Sequence, residues 1–454
     1  MKKTSLLLSI IGMVLCCGCG GSKQLKSIPT SETTSTSTNV PATETPIPTL
    51  TPTPMPDVVY QLSGIDLGPY ITGDPNLGAT VSETEIRNLI ERIAPYTYWV
   101  RTYGTENGLE YAGAIAHEYG LSIAVTAWLS SDLEANERQM ASLIDMAKNG
   151  EVDLAIIGNE TLLREDLTES ELLNYITRFK EEVPNVPVTT TDVWSKIKQS
   201  PDLIASMDVV AVNVYPYWEN IGIDEAFSAV KEWYKDAVET VEAISPGKNV
   251  IVAETGWPSC GENGDPTSAL YYLSSFTSFA RVKSIQYFWF EAYDEAWKAE
   301  YEGEAGACWG LWDSEGQLKP GIDEIFAGNA GSGKVVPERE PKLDLTLVPP
   351  MGSITDLAGI AWFVNPEDYR VAVYIYVPDA GGWWIKPTFD FPLTEINKDG
   401  SWSCPVFTGG IDEQATKVAA FLVPNDYNPP AAAGWSSLPQ ELYDISVSEV
   451  ETNR

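Results

Sequence analysis

Short apolar runs alternate with longer stretches in which apolar positions recur every three or four residues, from residue 58 to about residue 328. The runs at 62–67, 98–103, 122–127, 153–157, 186–190, 208–214, 249–253 and 284–290 predict eight buried strands. The amphipathic stretches at 83–93, 136–148, 169–183 and 223–244 predict helices between them. A strand-helix unit repeated in this way predicts α/β architecture, a single parallel (β/α)8 barrel in which functional groups gather at the carboxyl ends of the strands. Beyond it the pattern changes. Residues 329–342, with Gly331-Ser332-Gly333 and two prolines, read as a linker. Residues 343–454 read as an all-β sandwich: 369–377 alternate, Lys398-Asp399-Gly400-Ser401 marks a hairpin turn, and 417–423 form another apolar strand.

The start of the chain has a different character. Lys2 and Lys3, an apolar stretch at 6–15 and Gly18 before Cys19 read as a lipoprotein export signal over residues 1–18, with Cys19 as the acylated residue. The apolar stretch is too short for a permanent membrane span. Residues 19–57, rich in Thr, Pro and Ser, form a tether with too little apolar surface to fold. These features predict an exported monomer held by lipid at the cell surface or outer membrane, touching the membrane only through that anchor. Export without the lipid, as a secreted protein, is the alternative.

Composition narrows the chemistry. A formal charge of -35 disfavours nucleic acid and other polyanions as partners. The one histidine, His117, falls in a helical stretch, so a Ser-His-Asp triad or a histidine-rich metal site lacks its parts. Gly331-Ser332-Gly333-Lys334 opens no helix after a strand, so it is no phosphate loop. No cofactor and no metal site are expected, with a structural calcium ion on some of the many carboxylates as the alternative. Of the six cysteines, Cys260, Cys308 and Cys404 lie in the folded region. Cys260 and Cys308 fall on loops at one end of the barrel and can pair, leaving Cys404 as a small buried hydrophobe.

Two carboxylates stand where apolar strands end. Glu160 follows 153–157 in Gly158-Asn159-Glu160, and Glu254 follows 248–253 in Glu254-Thr255-Gly256-Trp257-Pro258-Ser259. Such a pair suits cleavage of a glycosidic bond, where one group protonates the leaving oxygen and the other attacks or stabilises the anomeric carbon. The hexapeptide resembles the nucleophile signature of family 17 of the glycoside hydrolases, the β-1,3-glucanase family. The resemblance spans residues 58–328 and includes Val100-Arg101-Thr102-Tyr103-Gly104, Asn213-Val214-Tyr215-Pro216 and Trp309-Gly310-Leu311-Trp312-Asp313. It implies a retaining barrel enzyme acting on β-glucan, with Glu160 as acid/base and Glu254 as nucleophile. Retention implies carboxyl groups about 5–5.5 Å apart and a raised pKa at Glu160.

Substrate-binding roles are expected for Tyr103, Asn159, Tyr215, Trp257, Glu295 and Lys298. Asn159 is expected to hold the sugar 2-hydroxyl and Tyr215 to hydrogen-bond Glu254, with satisfaction of buried polar groups as the competing explanation. Glu295 and Lys298 resemble a family Glu/Lys pair; a surface ion pair is the alternative. Trp128, Trp257, Trp289 and Trp297 offer flat faces for sugar rings or for packing. In the carboxy-terminal domain Trp383-Trp384 point to opposite faces of a strand. One ring is then available for sugar, unless both fill the fold as Trp362 and Trp402 would. The expected activity is β-1,3-glucan hydrolysis through a covalent ester, with glucanosyl transfer by the same pair as the nearest rival and a non-catalytic glucan-binding protein as a third reading.

Overall fold

The computed structural model describes residues 60–454, apart from 331, 332, 334, 337 and 338. The expected export signal, Cys19 and the whole of the tether lie outside the described residues. Eight parallel strands close in sequence order into a barrel: β1 (Leu62–Asp66), β2 (Thr97–Thr102), β3 (Ser122–Ala127), β4 (Leu154–Asn159), β5 (Val188–Val193), β6 (Val210–Asn213), β7 (Val250–Thr255) and β8 (Tyr287–Trp289). Around it lie α1 (Glu83–Ile93), α2 (Ala112–Glu118), α3 (Leu133–Lys148), α4 (Glu169–Glu182), α5 (Trp194–Ile197), α6 (Pro201–Ser206), α7 (Ile223–Ile244) and α8 (Pro266–Lys283).

Local chemistry explains the helix starts. Ser82 and Thr168 each form a capping box, with Glu85 and Glu171, and the Asp132 carboxylate accepts from the first amides of α3. The strands bury both faces. Ala124, Leu154, Ile156, Ala211, Ile251, Ala253 and Phe288 fill the barrel interior, while Ile123, Val125, Ile157, Val210 and Val252 pack outward under the helices. His117, on α2, is exposed and contacts Asp153 at 2.9 Å.

The second domain pairs a three-stranded sheet with a larger one. β9 (Lys342–Leu347), β10 (Leu357–Trp362) and β14 (Ser401–Cys404) make the first, in the order β14-β10-β9. β11 (Tyr369–Val377), β12 (Gly382–Lys386), β13 (Leu393–Thr394), β15 (Lys417–Pro424), β16 (Ala433–Trp435) and β17 (Ser448–Asn453) make the second. Leu343, Leu357, Val371, Val373, Trp402, Cys404, Val418 and Ala420 share one core cluster. On the other face of the larger sheet Trp383 and Phe421 join Leu442 of the helix Gln440–Ile445. Trp384 is half-buried and donates its indole N–H to the Ala380 carbonyl at 3.1 Å.

The segment read as a linker does not hang free. Val335 and Val336 are buried in the barrel's own cluster, which continues into Ile360, Trp362 and Phe363 of the second domain. Trp362 meets Phe227 of α7 with ring centres 5.5 Å apart, and Phe363 meets Tyr271 of α8 at 5.1 Å. Arg281 pairs with Asp399 at 2.7 Å beside them. Two apolar residues amid polar ones suffice to dock the segment. The same interface explains why α8 escaped the periodicity: it is buried continuously from Tyr271 to Ala280, so no polar face interrupts its apolar one.

Candidate active site

Regular alternation along β7 places Ile251 and Ala253 inside the barrel, and Val250 and Val252 outside. Glu254 should then face outward. Pairing with both neighbours slips in register after Val252, so Asn213 of β6 pairs with Glu254 and Thr255 with Trp289. The irregularity re-aims Glu254 into the barrel mouth and turns Thr255 towards α8, where its hydroxyl meets that of Tyr272 at 2.7 Å. β4 slips in the same way between Ile156 and Asn159. Gly158 takes φ 77° there, and Glu160 itself sits at φ 52°, a left-handed conformation seldom adopted outside glycine.

The two carboxylates have different partners. Glu254 Oε1 lies 2.9 Å from a guanidinium nitrogen of Arg101, and Oε2 accepts the Tyr215 hydroxyl at 3.0 Å. The Tyr215 ring is wedged edge-on between Phe290 and Trp309, which fixes its hydroxyl. Glu160 Oε1 accepts the Asn213 side-chain amide at 2.9 Å. Burial pushes the Glu160 pKa up to about 8, the negative charge of Glu254 adds to that, and the Asn213 hydrogen bond opposes it. Beneath Glu160, Asp192 accepts the backbone N–H groups of Leu162 and Leu163 and is itself raised by burial to about 6.

Arg101 organises the floor of the site. It is fully buried and donates to the Ala253 carbonyl at 2.7 Å, Asn159 Oδ1 at 2.9 Å and Thr191 Oγ1 at 3.3 Å. Tyr103 covers its guanidinium, with the ring centre 4.6 Å away. Asp66, at the end of β1 and fully buried, stands 3.6 Å from Arg101; burial raises its pKa against the pull of that cation. Asn159 is held through its carbonyl oxygen by Arg101, Thr191 and Asn213.

Glu295 and Lys298 are not a surface pair. Both are buried, because the loop after β8 folds back over the mouth and Lys298 lies between Glu291 at 2.6 Å and Glu295 at 2.8 Å. Glu295 also accepts the Tyr70 amide at 2.9 Å. The approach requires glycine at position 68, where a Cβ would stand 2.1 Å from Glu295 Oε2.

A cavity of about 830 Å3 opens over Asn159, Glu160 and Glu254 and runs along the loops after β1, β2, β3 and β8. Tyr103, Glu295, Lys298, Trp128 and Trp297 line it, as do Tyr70, Phe290, Tyr301 and Glu302. Trp257 and Trp289 do not. The expectation that Trp257 contacts substrate is corrected: the ring is buried behind the cleft, donates to the Asn263 carbonyl at 3.1 Å and packs on Tyr217 and Tyr272. Immediately after it, Cys260 and Cys308 are joined in a disulfide with Cα atoms 5.7 Å apart. Lys319 secures the same loop through Ser259 at 2.8 Å and Asp294 at 2.7 Å. Among the described residues no group of three or more His, Cys, Asp and Glu side chains is placed to hold a metal ion.

Asp66, Glu291 and Glu302 were not singled out from the sequence, nor were Arg101 and Asn213 beyond their places in the quoted strand motifs. The detectable signal was a charged or amide residue inside or directly after an otherwise apolar strand, where burial without a partner is costly. Together the groups can present a proton on Glu160 at neutral pH and hold Glu254 between the Arg101 cation and the Tyr215 hydroxyl.

Residues 64–310 match the family model of the BtgE/BtgC glycoside hydrolase domain. Among curated relatives, "Probable glucan endo-1,3-beta-glucosidase btgC" of Aspergillus flavus is 28% identical over 306 residues, which cover 59% of this chain and 44% of that protein. "Glucan 1,3-beta-glucosidase BGL2" of Candida albicans is 28% identical over 253 residues, covering 50% of this chain and 82% of that protein. The chain thus spans less than half the length of the Aspergillus relative. An active-site mutant of the Rhizomucor miehei β-1,3-glucanosyltransferase, solved in complex with laminaritriose, superposes with a TM-score of 0.50 at 28% identity, covering 57% of this chain and 96% of that one. The family match takes in the whole barrel from inside β1 to the loop beyond β8, more than half of the chain, and by it this chain belongs to the BtgE/BtgC glycoside hydrolase family.

Proposed function

We propose that this protein is a retaining β-1,3-glucan hydrolase of glycoside hydrolase family 17, with Glu160 as acid/base and Glu254 as nucleophile. The observation that carries the reading is the contrast between the two carboxyls: Glu160 is buried with a pKa near 8, while Glu254 sits against Arg101 and Tyr215. In the first step Glu254 attacks the anomeric carbon, the glycosidic C–O bond breaks, and the Glu160 proton goes to the departing oxygen. In the second, Glu160 takes a proton from water as that water opens the ester. Linkage preference is inferred from the relatives, whose names specify 1,3-β-glucosidases, and from the laminaritriose bound by the Rhizomucor enzyme. Tyr103, Asn159, Glu295, Lys298, Trp128 and Trp297 are the proposed contacts to the sugar chain.

Transfer of the glycosyl group to a second glucan is the alternative outcome of the same ester, favoured by the likeness to a glucanosyltransferase. Incubation with laminarin, lichenan and cellulose, with products resolved by length, tests both. Cleavage confined to the β-1,3-glucans supports the proposal, products longer than the substrate assign transfer, and inactivity on all three refutes it. On the residues at its start, we read the chain as an exported monomer anchored through a lipid on Cys19. Radiolabelled palmitate incorporated into the wild type and lost in Cys19→Ser tests the anchor.

A further inference from the structure

Asp66 and Glu254 face one guanidinium. The same nitrogen of Arg101 lies 2.9 Å from Glu254 and 3.6 Å from Asp66, and neither Asp66 nor Arg101 touches solvent. The other groups that Arg101 contacts are neutral: a backbone carbonyl, an amide oxygen, a hydroxyl and the Tyr103 ring. The two-step reaction gives Asp66 no part, yet a carboxyl buried this completely is costly unless it serves a charge nearby.

The inference rests on Glu254 being the nucleophile. When Glu254 bonds to the anomeric carbon it becomes a neutral ester, while Arg101 remains a cation at any working pH. An unpaired guanidinium shielded from solvent is strongly unfavourable. We propose that Asp66 is the counter-charge that pairs with Arg101 while the glycosyl ester exists, a positioning residue that acts on the reacting atoms through Arg101. Proton balance at the reacting atoms stays with Glu160, which loses its proton to the leaving oxygen and regains one from the hydroxyl that opens the ester. Forming the ester removes the Glu254 charge that, after burial, holds the Asp66 pKa up, so Asp66 ionises more readily while the ester exists. Glu254 departs with the electron pair of the ester bond and takes back its place against Arg101. Before and after the ester, Arg101 has Glu254 as a partner. Only during its lifetime does Arg101 depend on Asp66, so removal of Asp66 raises the energy of the intermediate above that of the states on either side.

Full-length wild type, Asp66→Asn and Asp66→Ser are compared during turnover of a laminari-oligosaccharide with a dinitrophenyl leaving group, for which opening of the ester limits the rate. Samples are quenched in acid, the glycosylated fraction is read by intact mass, the adduct is located by peptide mapping, and active sites are counted from the dinitrophenol burst. The wild type should accumulate the ester on Glu254. The glycosylated share of active enzyme should fall by about tenfold or more in each folded variant. A purely structural Asp66 would lower the melting temperature and the number of active sites while leaving that share unchanged. An unchanged share overturns the role of Asp66 and leaves Glu254 as nucleophile, whereas no adduct on Glu254 in the wild type overturns both.

Discussion

The side-chain amide of Asn213 donates to Oε1 of Glu160 at 2.9 Å. This hydrogen bond favours the ionised carboxyl, whereas burial and Glu254 favour the protonated one. Glu160 must be protonated for the first step, so activity should fall as pH rises through a value near 8. Asn213→Ala removes the hydrogen bond that lowers the Glu160 pKa and should move the alkaline limb of kcat/KM upward while lowering its plateau. A pH–rate profile on laminari-oligosaccharide checks the direction; a limb displaced downward would contradict it.

Removing the carboxyl itself separates acid catalysis from the rest. Glu160→Ala should lose about 10²–10⁴-fold in activity on unmodified glucan. On a dinitrophenyl glycoside, whose leaving group needs no proton, the initial burst should survive. Steady-state and burst kinetics on the two substrates test this, and equal loss on both would argue that Glu160 has another role.

The same residue should weaken the fold at high pH. Its folded pKa is raised, so its contribution to stability is intact below the unfolded value of about 4.3 and is lost as pH rises towards about 8. Glu160→Gln carries no such penalty. Its melting temperature should exceed that of the wild type by several degrees above pH 8 and converge with it near pH 4. A constant difference across that range would contradict the assignment.

The second domain should prove part of the barrel's stability. Trp362→Ala leaves a hole between Phe227 and Phe363 and should cost about 3–5 kcal/mol, lowering one cooperative unfolding transition. Calorimetry showing the barrel transition unmoved would mean that the domains fold separately. Reduction of the Cys260–Cys308 bond, which spans a sequence separation of 48, should cost a further ~2–4 kcal/mol, measurable as a lower melting temperature in reductant.

Much of the barrel was readable because strand and helix periods differ and each repeats. Helices 83–93 and 223–244 match α1 and α7 at both ends. Hidden were the places where the pattern is broken by something non-local. α8 lacks a polar face because two domains cover it, and Val335-Val336 is too short an apolar signal to separate docking from linking. Glu254 was legible by motif but not by alternation, which points it outward until the slip after Val252 is known. Trp257 belongs to the same motif, and its flat apolar face suited a sugar ring. One residue beyond Gly256 the chain has already turned away from the cleft, so the ring fills the layer behind it. The cluster of Asp66, Arg101 and Asn213 comes from three strands, and such convergence is visible only once the barrel closes.

Proton NMR of laminari-oligosaccharide during the first minutes of cleavage tests the central claim most directly. Double displacement through Glu254 with Glu160 as acid/base predicts that the new reducing end appears first as the β-anomer and equilibrates to the mixture afterwards. First appearance of the α-anomer would mean a single displacement by water and would contradict the account.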